Sequence, residues 1–437
     1  MSYQRLGFSI AVLVAINILN FYDRNAPGAL VEPMRREFSL SDTQIGFMGS
    51  AFIWIYAIVG VPLGKVADTW SRKKLLAAGV TVWSLLTAMA GLAQSYGFLL
   101  VTRLGVGVGE AVCAPTATSW IGDLFPPEKR ARALAFFMLG VPVGGALSFF
   151  FSGPIAEAFG WRPAMVIAAV PALFLVPALL TLPEPPRGAS EKAHAAPAGP
   201  KASMWSVLRI PTLWWIIASG ALLNFNMYAI GTFLPAFFGR VHALGLAGAN
   251  YATGAAYLVG GIAGGWIAGR IGDTIIHQRK NGRMVAAAAI AASVVPMSYL
   301  GVIQGPGQLI LAVVFLTLAY GGLNTYYGLV YSSIQDIVAP SLRGSTMAIY
   351  FMAMYLMGAS FGPLLTGRLS DVAARRAMEA AGATQMTDAF RAIGLQQAML
   401  VIPVLSVLLA LVLFAASRTI LGDMRKRDAA VAAGAVA

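Results

Sequence analysis

The chain has 437 residues, of which 58% are hydrophobic and only 11% charged. A soluble domain carries about 25% charged residues, so this composition excludes a water-soluble protein and points to an integral membrane protein without a sizeable soluble domain. The formal charge of +13 would suit nucleic acid by number alone, but its placement along the chain excludes that partner.

Apolar windows of about 20 residues, the length that crosses a bilayer as a helix, recur from end to end. Twelve spans are predicted, at 7–30, 43–66, 75–94, 98–121, 132–157, 163–182, 212–238, 249–271, 285–304, 308–334, 346–369 and 395–416. With the N-terminus placed inside, the cytoplasmic segments hold 21 of the 31 Lys and Arg residues and the outer segments eight; Arg24 and Arg103 lie within spans. This positive-inside bias places both termini in the cytoplasm, and the expected location is the plasma (inner) membrane. The basic excess is an orientation signal, with some contact to anionic membrane lipids. Cys113 is the single cysteine, which rules out an internal disulfide and a Cys-based zinc site, and no cofactor is implied. The first span is too long for a signal-peptide core and lacks a cleavage site, so it is expected to persist.

That first span contains "LNFYDRNAPGAL", Leu19 to Leu30, with Asp23 and Arg24 inside an apolar run. The fourth contains Arg103 and Glu110. Asp23 and Glu110 are the only two of 18 acidic residues well inside a span. A charge near the bilayer centre costs about 2.5–3.5 kcal/mol on insertion scales, so all four residues are expected to pair or to face water. At 1.5 Å per residue, Asp23 lies about 10 Å, Arg103 about 8 Å and Glu110 about 18 Å from the outer surface. Arg103 and Glu110, seven apart, share a helix face. Asp23 and Arg24 point about 100° apart and are poor partners for each other. The expected wiring therefore crosses helices, Asp23 with Arg103 and Arg24 with Glu110. A static lock on the bundle is the competing explanation, but buried ion pairs are weak sources of stability. His194, His242 and His277 all fall in loops or the linker, which leaves Asp23 and Glu110 as proton-coupling candidates. Arg24 and Arg103 suit an anionic substrate group, since guanidinium matches carboxylate and phosphate geometry. Asn17 and Asn20 flank the same face.

The loops repeat. "GVPLGKVADT", Gly60 to Thr69, aligns without a gap on Gly265 to Thr274, 205 residues later. "DLFPPEKRARALA", Asp123 to Ala135, aligns on Asp336 to Ala348, 213 residues later, and both read D-x3-P-x2-R-x4-A. The chain is thus an internal duplication with six spans per half, the repeats parallel. The polar stretch Pro183 to Ser203 reads as a flexible cytoplasmic linker. The expected division is an N-terminal bundle at 1–182, the linker at 183–203, a C-terminal bundle at 204–418 and a cytoplasmic tail at 419–437.

In the second half, Asn224, Asn226, Tyr228, Asn324, Tyr326, Tyr327 and Tyr331 offer polar groups but no charge. The glycines of "RLGVGVGEA", "GVPVGGAL" and "GASFGP" read as close helix packing. The first lacks the spacing and context of a nucleotide loop. "GASFG" fits G-x-S-x-G, but no span contains a histidine to complete a hydrolase. With no HExxH and no Cys/His cluster, an intramembrane enzyme is disfavoured. The outer segment 371–394 is Ala-rich and expected to be partly helical, without an assigned role.

"GKVADTWSRKK", Gly64 to Lys74, resembles the loop 2–3 signature of the major facilitator superfamily, departing from it at Thr69 and Ser71. "NFYDR", "RLGVGVGEA", "IGDLF" and "GVPVGGAL" are similar to Spinster-type transporters. The organic-anion symporter branch, which carries sugar acids, has similar first- and fourth-span motifs. The resemblance implies an all-α membrane fold of two six-helix bundles and proton-coupled transport by alternating access. It implies a small amphipathic anionic substrate, a lysophospholipid or sphingosine-phosphate-like lipid, with a sugar acid as the alternative. In both branches the residues matching Asp23 and Glu110 are tied to proton coupling, and the binding candidates are Asn20, Arg24, Arg103, Asn224, Asn324 and Tyr327. Asp68 is implied to contact the start of the eleventh helix and Arg130; with Arg72, Asp273, Asp336 and Arg343 they form the candidate cytoplasmic gate.

Overall fold

The computed structural model describes residues 3–187, 204–338 and 342–432. Among these it is helical throughout, with no strand. The helices are α1 Tyr3–Ala29, α2 Val31–Phe38, α3 Asp42–Thr69, α4 Arg72–Ala90, α5 Tyr96–Glu110, α6 Cys113–Leu124, α7 Pro127–Met138, α8 Gly140–Phe159, α9 Trp161–Thr181, α10 Pro211–Val241, α11 Leu246–Ala255, α12 Gly261–Gln278, α13 Gly282–Ile303, α14 Leu309–Ile337, α15 Arg343–Met354, α16 Phe361–Ala380, α17 Asp388–Met399 and α18 Val401–Ala432. Ten spans among the described residues are long and apolar enough to cross a membrane. The predicted third and eighth spans account for the rest: α4 opens on Arg72, Lys73 and Lys74, and α11 and α12 are joined by a π-helical segment, Ala256–Gly260. A second π segment, Tyr355–Ala359, joins α15 to α16. The segment 371–394 is a continuation of α16, a turn, and the first half of α17.

Several breaks follow from proline, which gives no N–H to the carbonyl four residues back. Pro115 frees the Ala111 carbonyl, and the fourth span divides at Ala111–Val112, directly after Glu110. Pro142 frees the Met138 carbonyl, and the fifth span turns at Leu139. There the Asn17 amide donates to the Phe137 carbonyl at 2.8 Å. Helix starts are marked too: Ser41 and Gln44 form a reciprocal capping box at the start of α3.

The chain forms two compact units. The first takes Met1–His194 with Gly231–Gly239 and Ala243–Gly254; the second takes Ala195–Ile230, Arg240–His242 and Ala255–Ala437. In the first unit, α1 lies against α8 so closely that a Cβ on Gly144 would strike the Ile18 carbonyl. α4 lies against α5 at Gly109, where a Cβ would sit 2.9 Å from the Cβ and backbone N of Trp83. These approaches gather α1, α4 and α5 around the layer that holds the charges.

The expected linker is not loose where it begins. Pro183 accepts from the Trp120 indole at 3.2 Å, and Arg187 donates to the carbonyls of Ala67 and Trp70 at 2.8 and 2.7 Å. Glu184 accepts from Ser71 Oγ at 2.7 Å and from the Arg72 amide at 2.6 Å. Residues 188–203 lie outside the described part of the chain.

Candidate functional site

Asp23, Arg103 and Glu110 are all buried, and the Arg24 side chain is 6% exposed. Because α1 turns about 100° between neighbours, Asp23 and Arg24 look in different directions. Arg24 turns to α5 and binds one oxygen of Glu110 with both Nε (3.1 Å) and Nη2 (3.0 Å). Asn20, one turn back, accepts from Arg24 at 3.5 Å. Aromatic faces enclose the guanidinium: its carbon is 4.5 Å from the Tyr56 ring centre, 4.8 Å from Phe21 and 5.5 Å from Phe52. Arg103 lies 5.0 Å over the same Phe52. Cation–π attraction of this kind strengthens as water is excluded.

The other expected pair does not form. Arg103 Nη1 reaches the backbone carbonyl of Asp23 at 3.4 Å, not its carboxylate. Both Asp23 carboxyl oxygens, and Glu110 Oε1, are buried without a hydrogen bond among the described residues. The four residues thus share one buried layer, with one guanidinium engaged to a carboxylate and one carboxyl uncommitted. Phe21, Phe52, Tyr56 and Trp83, which complete this layer, were not singled out from sequence. The i, i+4 spacing of Phe52 and Tyr56 was the available signal.

The second unit has a cluster of buried tyrosines. Ser219, Tyr326 and Tyr350 form a buried hydroxyl chain at 2.8 and 2.9 Å. Tyr327 stands edge-on to Tyr326 and Tyr331, at 6.0 and 5.5 Å between ring centres. Asn224 is buried and its amide is used internally, toward the Gly220 carbonyl at 2.9 Å and Met354 Sδ at 3.2 Å. Asn324 donates to the Tyr320 carbonyl of its own helix. Asn226 turns instead toward Ser406 of α18.

Among the gate candidates, Arg72 is buried and pairs with Asp123; its Nε lies 3.6 Å from Glu184, and it donates to the carbonyls of Ser119 and Pro185. Burial pushes the Glu184 carboxyl up, but hydrogen bonds from Ser71, Arg72 and Lys73, with the Arg72 charge, outweigh it and hold the group below its ordinary range. Asp336 pairs with Arg283 at 2.9 Å. Arg72 with Asp123 ties the start of α4 to the end of α6, and Arg283 with Asp336 ties the start of α13 to the end of α14. Asp123, Glu184 and Arg283 are partners that the sequence did not suggest. Arg130 and Arg343 are half-buried and Asp273 is exposed; the side chain of Asp68 lies outside the described residues.

Residues 13–363 match the family model of the Major Facilitator Superfamily. The chain belongs to that superfamily. Within it, the chain is similar to Spinster-type transporters. It is 26% identical over 396 residues to Protein spinster homolog 1 of Homo sapiens, spanning 85% of this chain and 74% of the relative. A crystal structure of a bacterial homologue of the human lysosomal transporter Spinster, inward-facing and unoccupied, superposes with a TM-score of 0.84 at 28% identity, covering 97% of this chain and 99% of that one. It is also 31% identical over 376 residues to an MFS-type efflux pump of Mycolicibacterium smegmatis, spanning 84% of this chain and 85% of the relative. This superfamily member is therefore an integral membrane transporter and not an enzyme.

Proposed function

We propose that this transporter couples movement of an amphipathic anion to protons by alternating access of two six-helix halves, one before and one after the linker. The carrying observation is the buried layer of α1 and α5, where Arg24 holds Glu110 while Asp23 keeps both carboxyl oxygens uncommitted. A carboxyl that gains or loses a guanidinium partner changes its proton affinity. Exchange of partners between Asp23 and Glu110 thus links protonation to the packing of helices, and protonation biases one state over the other. Arg24, Arg103 and Asn20 bind the anionic head of the substrate; Asn224, Asn324 and Tyr327 contact the remainder. Arg72, Arg130, Asp336 and Arg343, with Asp68 and Asp273, act at the cytoplasmic gate, and both termini face the cytoplasm of the inner membrane.

The Spinster similarity favours a lysophospholipid or sphingosine-phosphate-like lipid, with a sugar acid as the second class. The M. smegmatis efflux relative favours export. Asp23→Asn is expected to abolish the pH dependence of transport in proteoliposomes while leaving thermal unfolding near wild type. Unaltered pH dependence rejects the coupling role. Lysophospholipids and sugar acids compared side by side for thermal stabilisation separate the substrate classes: a shift from sugar acids alone overturns the lipid assignment.

A further inference from the structure

Trp83 stands on α4, completely buried, and its indole Nε1 has no hydrogen-bond acceptor among the described residues. The Asp23 carboxyl is equally buried and has no donor among the described residues. A donor and an acceptor left open in a dry interior each carry a desolvation penalty that a mutual hydrogen bond removes. Of the side chains near Asp23, Trp83 is the one whose indole N–H lies within reach of its carboxyl. The close approach of α4 to α5 at Gly109 holds the Trp83 backbone beside the residue that precedes Glu110, so the indole is fixed at the level of the charged layer.

The other groups around Asp23 are already engaged. On α1, Tyr22 shares a hydrogen bond with Ser152 at 3.0 Å and Arg24 binds Glu110. On α5, Glu110 is that partner and Arg103 points to the Asp23 backbone carbonyl. On α6, Cys113 lies within the electrostatic reach of Glu110 and Arg24.

We propose that Trp83 is a positioning residue for proton exchange: its indole N–H donates to the Asp23 carboxylate when that group is ionised and is released when the group takes a proton. The proposal rests on the reading of Asp23 as a proton-coupling group. The proton adds to a carboxylate oxygen and no other covalent bond changes. Such contacts are often long before the charged state forms and tighten with it. A donor to the ionised form favours that form; without the N–H, Asp23 takes its proton at higher pH.

The test is an infrared titration of the full chain in liposomes. The carbonyl stretch of protonated Asp23 is identified by its loss in Asp23→Asn. Trp83→Phe, which keeps a ring and removes the N–H, is expected to raise the midpoint of that band by about one pH unit. An unchanged midpoint overturns the role of Trp83. Should Trp83→Phe fail to fold, the nine indole N–H resonances of the 15N-labelled wild type and of Asp23→Asn replace it. One resonance tracking the Asp23 band in the wild type, and none titrating in Asp23→Asn, supports the proposal; no tracking resonance overturns it. If Asp23→Asn removes no titrating band, the coupling role of Asp23 fails and the proposal with it. A titrating Asp23 that ignores Trp83 sinks only the positioning role.

Discussion

Arg24 shows how a guanidinium is tolerated at membrane depth. It has a carboxylate on one side and the ring faces of Phe21, Phe52 and Tyr56 around it, so charge and desolvated surface are both matched. The pair need not stabilise the fold, because two buried ions lose more hydration than a modest Coulomb gain returns. Breaking it from one side is another matter, since Glu110 is fully buried and would lose its ion-pair partner. Arg24→Leu is expected to destabilise the protein by about 3–5 kcal/mol, while Arg24→Leu with Glu110→Leu recovers most of that loss. Thermal unfolding of the single and double variants in detergent decides it. A double variant no more stable than the single would mean that the rings, not Glu110, hold Arg24.

Some helix ends in this chain are completed by residues far away in sequence. α10 begins at Pro211, whose missing N–H costs nothing in a first turn. The next amide, of Thr212, finds its acceptor in Asp423 of α18, at 3.0 Å, and the Thr212 hydroxyl donates to the same oxygen at 2.6 Å. A carboxylate at a helix N-terminus meets both the open amides and the positive end of the helix dipole. Asp423 is 6% exposed, so water cannot readily replace it. Asp423→Ala is therefore expected to cost about 1–2 kcal/mol, with early hydrogen exchange confined to the first turn of α10. Asp423→Asn, which keeps an acceptor oxygen, should lose less. Equal losses would show that Asp423 acts through charge alone.

At the scale of the whole chain, the sequence displayed what membrane physics makes expensive. Charges at 23, 24, 103 and 110 stood out because each had to be compensated, and Arg24 does meet Glu110. Contacts that leave no periodic trace stayed hidden. Helices apolar all round do not announce which face packs, so the approach of Trp83 was not legible, the ring wall of Phe52 and Tyr56 showed only as an i, i+4 spacing, and Asp23 was assigned the wrong partner. The twelve-span count followed from hydropathy, but the π segments at 256 and 355 did not. Of the loop motifs that read as a duplication, the two copies that open on Asp123 and Asp336 each supply the aspartate of an arginine–aspartate pair in the structure. Arg72 with Asp123, and Arg283 with Asp336, join the third and fourth spans of their halves at sequence separations of 51 and 53. The two copies differ in surroundings. Arg72 is 1% exposed and is shared with Glu184 from the start of the linker, whereas the Arg283 and Asp336 side chains are 18% and 28% exposed and pair one to one. Removing Arg72 takes the guanidinium away from Asp123 and Glu184 and opens a buried gap; removing Arg283 leaves a carboxylate that water can reach. Arg72→Ala is accordingly expected to cost about 3–5 kcal/mol and Arg283→Ala about 1 kcal/mol. Glu184→Gln should narrow that gap by weakening the extra partner. Thermal unfolding of the three variants tests the argument, and equal losses at the two arginines would mean that the linker contributes nothing to the first copy.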